Sequence, residues 1–190
     1  MEVEQVHERR IIQPLKPVSI RQLLAVSLGL VWLFYLLRTS AEHFILLDWV
    51  NLVFHEAGHP LVGLFSERLA VYGGTFGQLL MPSLALGAFW RQGDTRGLSV
   101  GGVWLLENFL NIARYMADAQ VQQLPLVGGG DHDWTEIFSR WGLLASDTSI
   151  ASAVSTFGWI GMLAVWGWLI YRTVVVESVS RTSSVTRLRV

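Results

Sequence analysis

Residues 148–171 read TSIASAVSTFGWIGMLAVWGWLIY, which is 24 uncharged residues between Asp147 and Arg172. A helix that crosses a bilayer needs about 20 predominantly apolar residues, so this stretch has the length and composition of a span. Charges fence off four more runs upstream. Sixteen uncharged residues lie between Arg21 and Arg38, with LLAVSLGLVWLFYLL (23–37) at their centre. Twenty-four residues separate Glu42 from Glu67, and they include Asp48, Glu56 and three histidines. Twenty-two uncharged residues lie between Arg68 and Arg91, and 17 between Arg96 and Arg114 are broken only by Glu107.

Composition agrees with the runs. Of 190 residues, 52% are apolar and 15% charged, against roughly 25% charged in an ordinary soluble domain. Mean hydropathy is +0.42. Fourteen basic and 15 acidic residues leave no surplus of positive charge, which argues against a nucleic-acid partner. The absence of cysteine excludes a disulfide framework, a thiolate zinc site and a thiol nucleophile. The chain reads as an all-α polytopic membrane protein, a single integral membrane domain over 1–190 with the lipid bilayer as its surroundings.

The spans predict a bundle of about four to six transmembrane helices. The 70–82 region is distinctive, because Gly73, Gly74, Gly77 and Pro82 crowd into YGGTFGQLLMPSLALGAFW. That density predicts a Gly-rich re-entrant element, which is tolerated at membrane depth where it is buried in protein or lines a wet cavity. The stretch before the first run, MEVEQVHERRIIQPLKPVSIRQ, is long and mixed in charge, and no small-residue cleavage site follows the run. The first helix therefore reads as retained. Arg9, Arg10, Lys16 and Arg21 precede the first helix, and Arg172, Arg181, Arg187 and Arg189 follow the last. Basic residues favour the cytoplasmic side, so the 1–19 segment and the 173–190 tail are both expected there. A polar loop over 118–149 carries GGGDHDW and an amphipathic helix built on Trp134, Ile137, Phe138, Trp141 and Leu143.

Within the second run stands His55-Glu56-Ala57-Gly58-His59, an HExxH. Positions i and i+4 share a helix face, so both imidazoles can hold one zinc ion. Glu56 beside the first ligand is placed to act as general base on water activated by that ion. Ionisable groups inside a membrane segment cost at least about 2.5–3.5 kcal/mol each and mark functional sites. A polar contact between helices is the plainer alternative. Pro60 removes the hydrogen bond to the Glu56 carbonyl and predicts a bend there. Asn51 and Asp48, four and seven residues upstream of His55, are candidates to orient it from behind. Equally, Asp48 and Trp49 can mark the membrane interface.

A catalytic zinc site needs a third ligand. His7 lies in the tail, and His43 is twelve residues before His55, about 18 Å along a helix. His132 remains, in Gly130-Asp131-His132-Asp133 after a glycine turn. Asp133 and Glu136 form a capping-box pattern, so His132 and Asp131 are the expected ligands, with Asp133 as helix cap or outer partner. Glu107, Asn108, Asn111, Arg114, Tyr115 and Asp118 recur at helical spacing, a polar stripe expected to face the bundle interior. Asn111 and Asp118 are further candidates for an outer role, and Arg114 with Asp118 makes an i,i+4 ion pair.

An HExxH inside an apolar helix, a Gly-rich segment after it and a later Gly/Asp motif resemble the site-2 protease family of intramembrane zinc metallopeptidases. The resemblance covers the second to fourth runs and the loop after them, and makes this chain a divergent, minimal member. It implies two His and a distal Asp on one zinc per chain, a short β-like element near 70–82, and cleavage of membrane protein or peptide substrates. His55, Glu56 and His59 match the family's motif. The family's distal Asp-Gly does not occur here, and Gly130-Asp131-His132-Asp133 reverses that order and adds a His. The expected activity is peptide-bond hydrolysis by a membrane-embedded metalloprotease. The alternative is a non-catalytic membrane protein that binds or transports a divalent metal.

Overall fold

The computed structural model describes residues 12–40, 44–127 and 131–176. Six α-helices form: α1 Ile20–Thr39, α2 Leu46–Gly63, α3 Ala70–Gln92, α4 Thr95–Ala117, α5 Asp133–Trp141 and α6 Asp147–Tyr171. There is no strand among the described residues. Three helical stretches, Ile20–Thr39, Glu67–Gln92 and Leu144–Val175, are long and apolar enough to cross a membrane. α4 has comparable length, at 23 residues, but carries the polar stripe.

Local signals explain where the helices begin and end. Ser19 and Gln22 form a capping box at the start of α1. Asp48 caps α2 by accepting from the Ile45 amide at 2.9 Å. α2 continues past Pro60 to Gly63. α3 ends on Gly93, whose φ of 62° is a left-handed conformation that suits glycine.

α4 packs along α6, and α2 along α3. Leu30, Val103 and Met162 join α1, α4 and α6 with Phe34, Trp159 and Trp166 around them. A second core of Ile112, Met116, Trp134, Ile137 and Phe138 seats α5 against α4. The amphipathic helix of the 118–149 region thus docks on protein, although Trp141 and Leu143 stay exposed. The backbone near Pro14 meets the α3–α4 turn through Gln13 N–H to Arg91 O and Lys16 N–H to Gly93 O. Arg172, after α6, donates to Leu15 O. The two ends of the described chain therefore lie at one end of the bundle.

The Gly-rich 70–82 region is not β-like: it is the first half of the continuous helix α3. Its glycines serve close packing. A Cβ on Gly77 would stand 2.8 Å from Gly58 Cα, and one on Gly58 would collide with the Gly73 carbonyl. Glycine density in the sequence marks two helix backbones in contact, a device common between membrane helices. Gly58→Ala is expected to destabilise the protein by about 1–3 kcal/mol through overpacking. Gly29→Ala, in the middle of α1 with open space around it, is expected to be neutral or to stabilise by up to about 1 kcal/mol. Thermal denaturation of both variants in one detergent tests the contrast.

Candidate metal centre

His55 and His59 share one face of α2, their rings meeting edge to face with centroids 5.0 Å apart. Each ring is fixed from behind through Nδ1. His55 Nδ1 lies 2.8 Å from Gln78 Oε1, and His59 Nδ1 lies 2.9 Å from the Ala70 carbonyl. A carbonyl only accepts, so His59 must carry its proton on Nδ1. Gln78 turns its amide N–H groups to Asn108 Oδ1 at 3.1 Å and Asn111 Oδ1 at 3.4 Å, which leaves Oε1 to accept from His55. Neutral His55 and His59 therefore both present a bare Nε2 lone pair.

Both lone pairs point at the same atom, Asp133 Oδ2, 2.9 Å from His55 Nε2 and 3.2 Å from His59 Nε2. Two lone pairs and a carboxylate oxygen converging on one point need positive charge between them. The three donor atoms lie within 4.8 Å of one another, and the group could hold a metal ion. Two imidazole nitrogens, one carboxylate oxygen and an adjoining cavity are the donor set of an open three-ligand site. Burial works to raise the Asp133 pKa, but when Nε2 of His55 and His59 carries a proton instead of facing an ion, the hydrogen bonds it donates to Asp133 outweigh burial and hold that carboxyl below the ordinary carboxylate range.

Glycine also shapes this site. A Cβ on Gly74 would run into the His55 ring, so α3 can approach the imidazole face only without one. The cavity over the centre has a volume of about 470 Å³. Glu56, half-buried, forms part of its wall beside His55, His59 and Asp133, with Tyr115 and the apolar stretch Leu124–Val127 further round.

The third donor corrects the sequence expectation. Asp133, assigned above to a cap or outer role, is the carboxylate that meets the His pair. His132 is turned away: it is buried against Tyr115, ring centroids 4.2 Å apart, with Nε2 3.3 Å from Asp118 Oδ2. His132 is also the residue that caps α5, since its Nδ1 accepts from the Thr135 amide at 3.2 Å. Asp131 is exposed at the cavity wall, outside the cluster. Adjacent side chains at a helix start diverge, so a buried cap at His132 sends Asp133 to the other side. Asp118 pins the following loop by accepting from Gln123 N and Leu124 N at 2.8 and 3.0 Å. Asp133 N in turn donates to Tyr115 Oη at 3.1 Å.

Asp48 and Asn51 do not touch His55 directly. Asp48 accepts from Asn111 Nδ2 at 2.8 Å and lies 3.4 Å from Arg114, so Arg114 pairs with Asp48 instead of Asp118. Asn51 donates to Glu107 Oε2 and accepts from Trp104 Nε1, both at 2.8 Å. The direct partner of His55 is Gln78, which the sequence reading missed. Its only signal was an amide inside an otherwise apolar run. Gln78 continues through Asn111 to Asp48, so the α4 stripe supports the centre from behind. His7, His43 and the three glycines at 128–130 lie outside the described residues.

No protein-family model, curated protein or solved structure matches the chain.

Proposed function

We propose that this chain is a membrane-embedded zinc endopeptidase, a divergent relative of the site-2 proteases. It would hydrolyse peptide bonds of membrane-associated protein substrates. The observation that carries the reading is the convergence of His55 Nε2, His59 Nε2 and Asp133 Oδ2 beside Glu56 in one cavity. When bound, zinc would polarise the scissile carbonyl and acidify water. His55, His59 and Asp133 would hold it, with Gln78 and the Ala70 carbonyl fixing the two rings. Glu56 takes the proton of the attacking water and hands it to the departing amine. The apolar wall of Leu124–Val127, Phe44 and Leu52 holds the substrate segment and limits bulk water.

In this reading α1, α3, α4 and α6 cross the bilayer, an even number that leaves both ends on one side. Lys16, Arg21, Arg91, Arg96 and Arg172 cluster toward that end of the bundle, which favours the cytoplasm. A metal carrier would use the same donors but has no need of a base; Glu56 at the cavity wall, outside the donor set, favours hydrolysis. The test is metal analysis and proteolysis on full-length protein purified in detergent without chelators. About one zinc per chain is expected, lost in His59→Ala together with cleavage of a membrane peptide. Metal-free wild-type protein would overturn the proposal.

A further inference from the structure

Tyr115, in the last turn of α4, is half-buried and forms part of the cavity wall beside Glu56, His55, His59 and Asp133. Its ring meets the His55 ring edge to face at 5.7 Å and the His132 ring at 4.2 Å. Its Oη accepts from the Asp133 amide at 3.1 Å, which ties the hydroxyl to the residue that supplies the third donor of the metal centre. A phenolic O–H both accepts and donates. The amide uses only the acceptor, and the proton has no acceptor among the described residues. The other donors of the wall are committed elsewhere. Gln78 donates to Asn108 and Asn111, Asn111 to Asp48, and Arg140 to Glu136 and the Arg68 carbonyl. Arg114 stands against the Asp48 carboxylate. Tyr115 differs from them in joining an uncommitted proton to direct contact with both His55 and Asp133.

When water adds to a peptide carbonyl, negative charge develops on the carbonyl oxygen, and a fixed donor aimed at that oxygen is among the largest contributions a site can make. Resting on the endopeptidase function proposed above, we propose that Tyr115 is a catalytic residue whose Oη donates a hydrogen bond to the substrate carbonyl oxygen while that charge develops. The water oxygen bonds to the carbonyl carbon, its proton passes to Glu56, and the carbonyl π pair moves onto the oxygen that Tyr115 faces. When the C–N bond breaks, that pair re-forms the carbonyl, and the amine leaves with the proton from Glu56. Tyr115 keeps its own proton throughout and needs no base. The Asp133 amide and the His55 and His132 rings hold the phenol in place before substrate arrives, which is the preorganisation such a donor requires.

The test compares full-length wild-type and Tyr115→Phe protein, zinc-loaded in detergent, on a Leu-rich fluorogenic peptide and on its phosphinic analogue, whose tetrahedral phosphorus carries the charged oxygens of the addition step. Tyr115→Phe is expected to keep one zinc per chain and its KM, and to lower kcat by about 10²–10³-fold. It should also bind the phosphinic peptide at least about tenfold more weakly. A tyrosine that only seats Asp133 would instead lower zinc affinity and leave kcat of the fully loaded protein in place, and that result overturns the proposal. 4-Aminophenylalanine in place of Tyr115 restores a donor of similar reach and is expected to recover at least about a tenth of wild-type kcat. If that protein, folded and loaded, stays about a hundredfold or more below wild type, the proposal is overturned whether or not Tyr115→Phe folds. Wild-type cleavage that Tyr115→Phe retains in full overturns the role of Tyr115 alone, whereas zinc-loaded wild-type protein that cleaves nothing overturns the endopeptidase function together with it.

Discussion

Glu56→Gln is expected to keep one zinc per chain and to lower turnover of a membrane substrate by about 10²–10⁴-fold. The amide has the size of the acid and leaves His55, His59 and Asp133 in place, so the donor set survives. What it loses is the ability to take a proton from water at neutral pH. Glu56 lines the cavity while standing outside the three-atom cluster, and that division between ligand and base is what the experiment probes. Single-turnover cleavage and metal content should be measured on the same preparation. Undiminished cleavage by Glu56→Gln would remove the general-base role, whereas loss of zinc would make Glu56 a ligand.

Asp133→Ala is expected to weaken zinc binding by at least about a hundredfold, since even outer partners of a metal ligand are worth 10–100-fold. Oδ2 of Asp133 faces both Nε2 atoms, and Asp131, two residues away, is exposed and outside the cluster. The neighbouring variant His132→Ala separates position from identity. It removes the α5 cap and the contact with Tyr115 and Asp118, and should cost about 1 kcal/mol or somewhat more of stability, while zinc still binds. Chelator competition gives the affinities, and thermal denaturation gives the stability. The opposite pattern, with His132→Ala losing zinc and Asp133→Ala keeping it, would reverse the assignment.

The sequence by itself determined what depends on composition and short spacing. Uncharged runs of span length specify apolar helices, because a buried backbone must bond to itself and apolar side chains must leave water. The pairing of His55 with His59 follows from the pitch of one helix, so no tertiary information is needed. Tertiary structure decided everything that joins distant positions. Gly73, Gly74 and Gly77 carry the same letters whether a chain breaks or two helices touch, and only Gly58 of α2 and the His55 ring, lying against them, select contact. Gln78 reaches His55 across 23 positions, a distance over which an amide in an apolar run gives no direction. The choice of Asp133 over His132 turned on one residue of phase at the start of α5. That phase is set by Tyr115 and Asp118 at the end of α4, which bind His132 and the Asp133 amide and aim the adjacent carboxylate at the histidine pair.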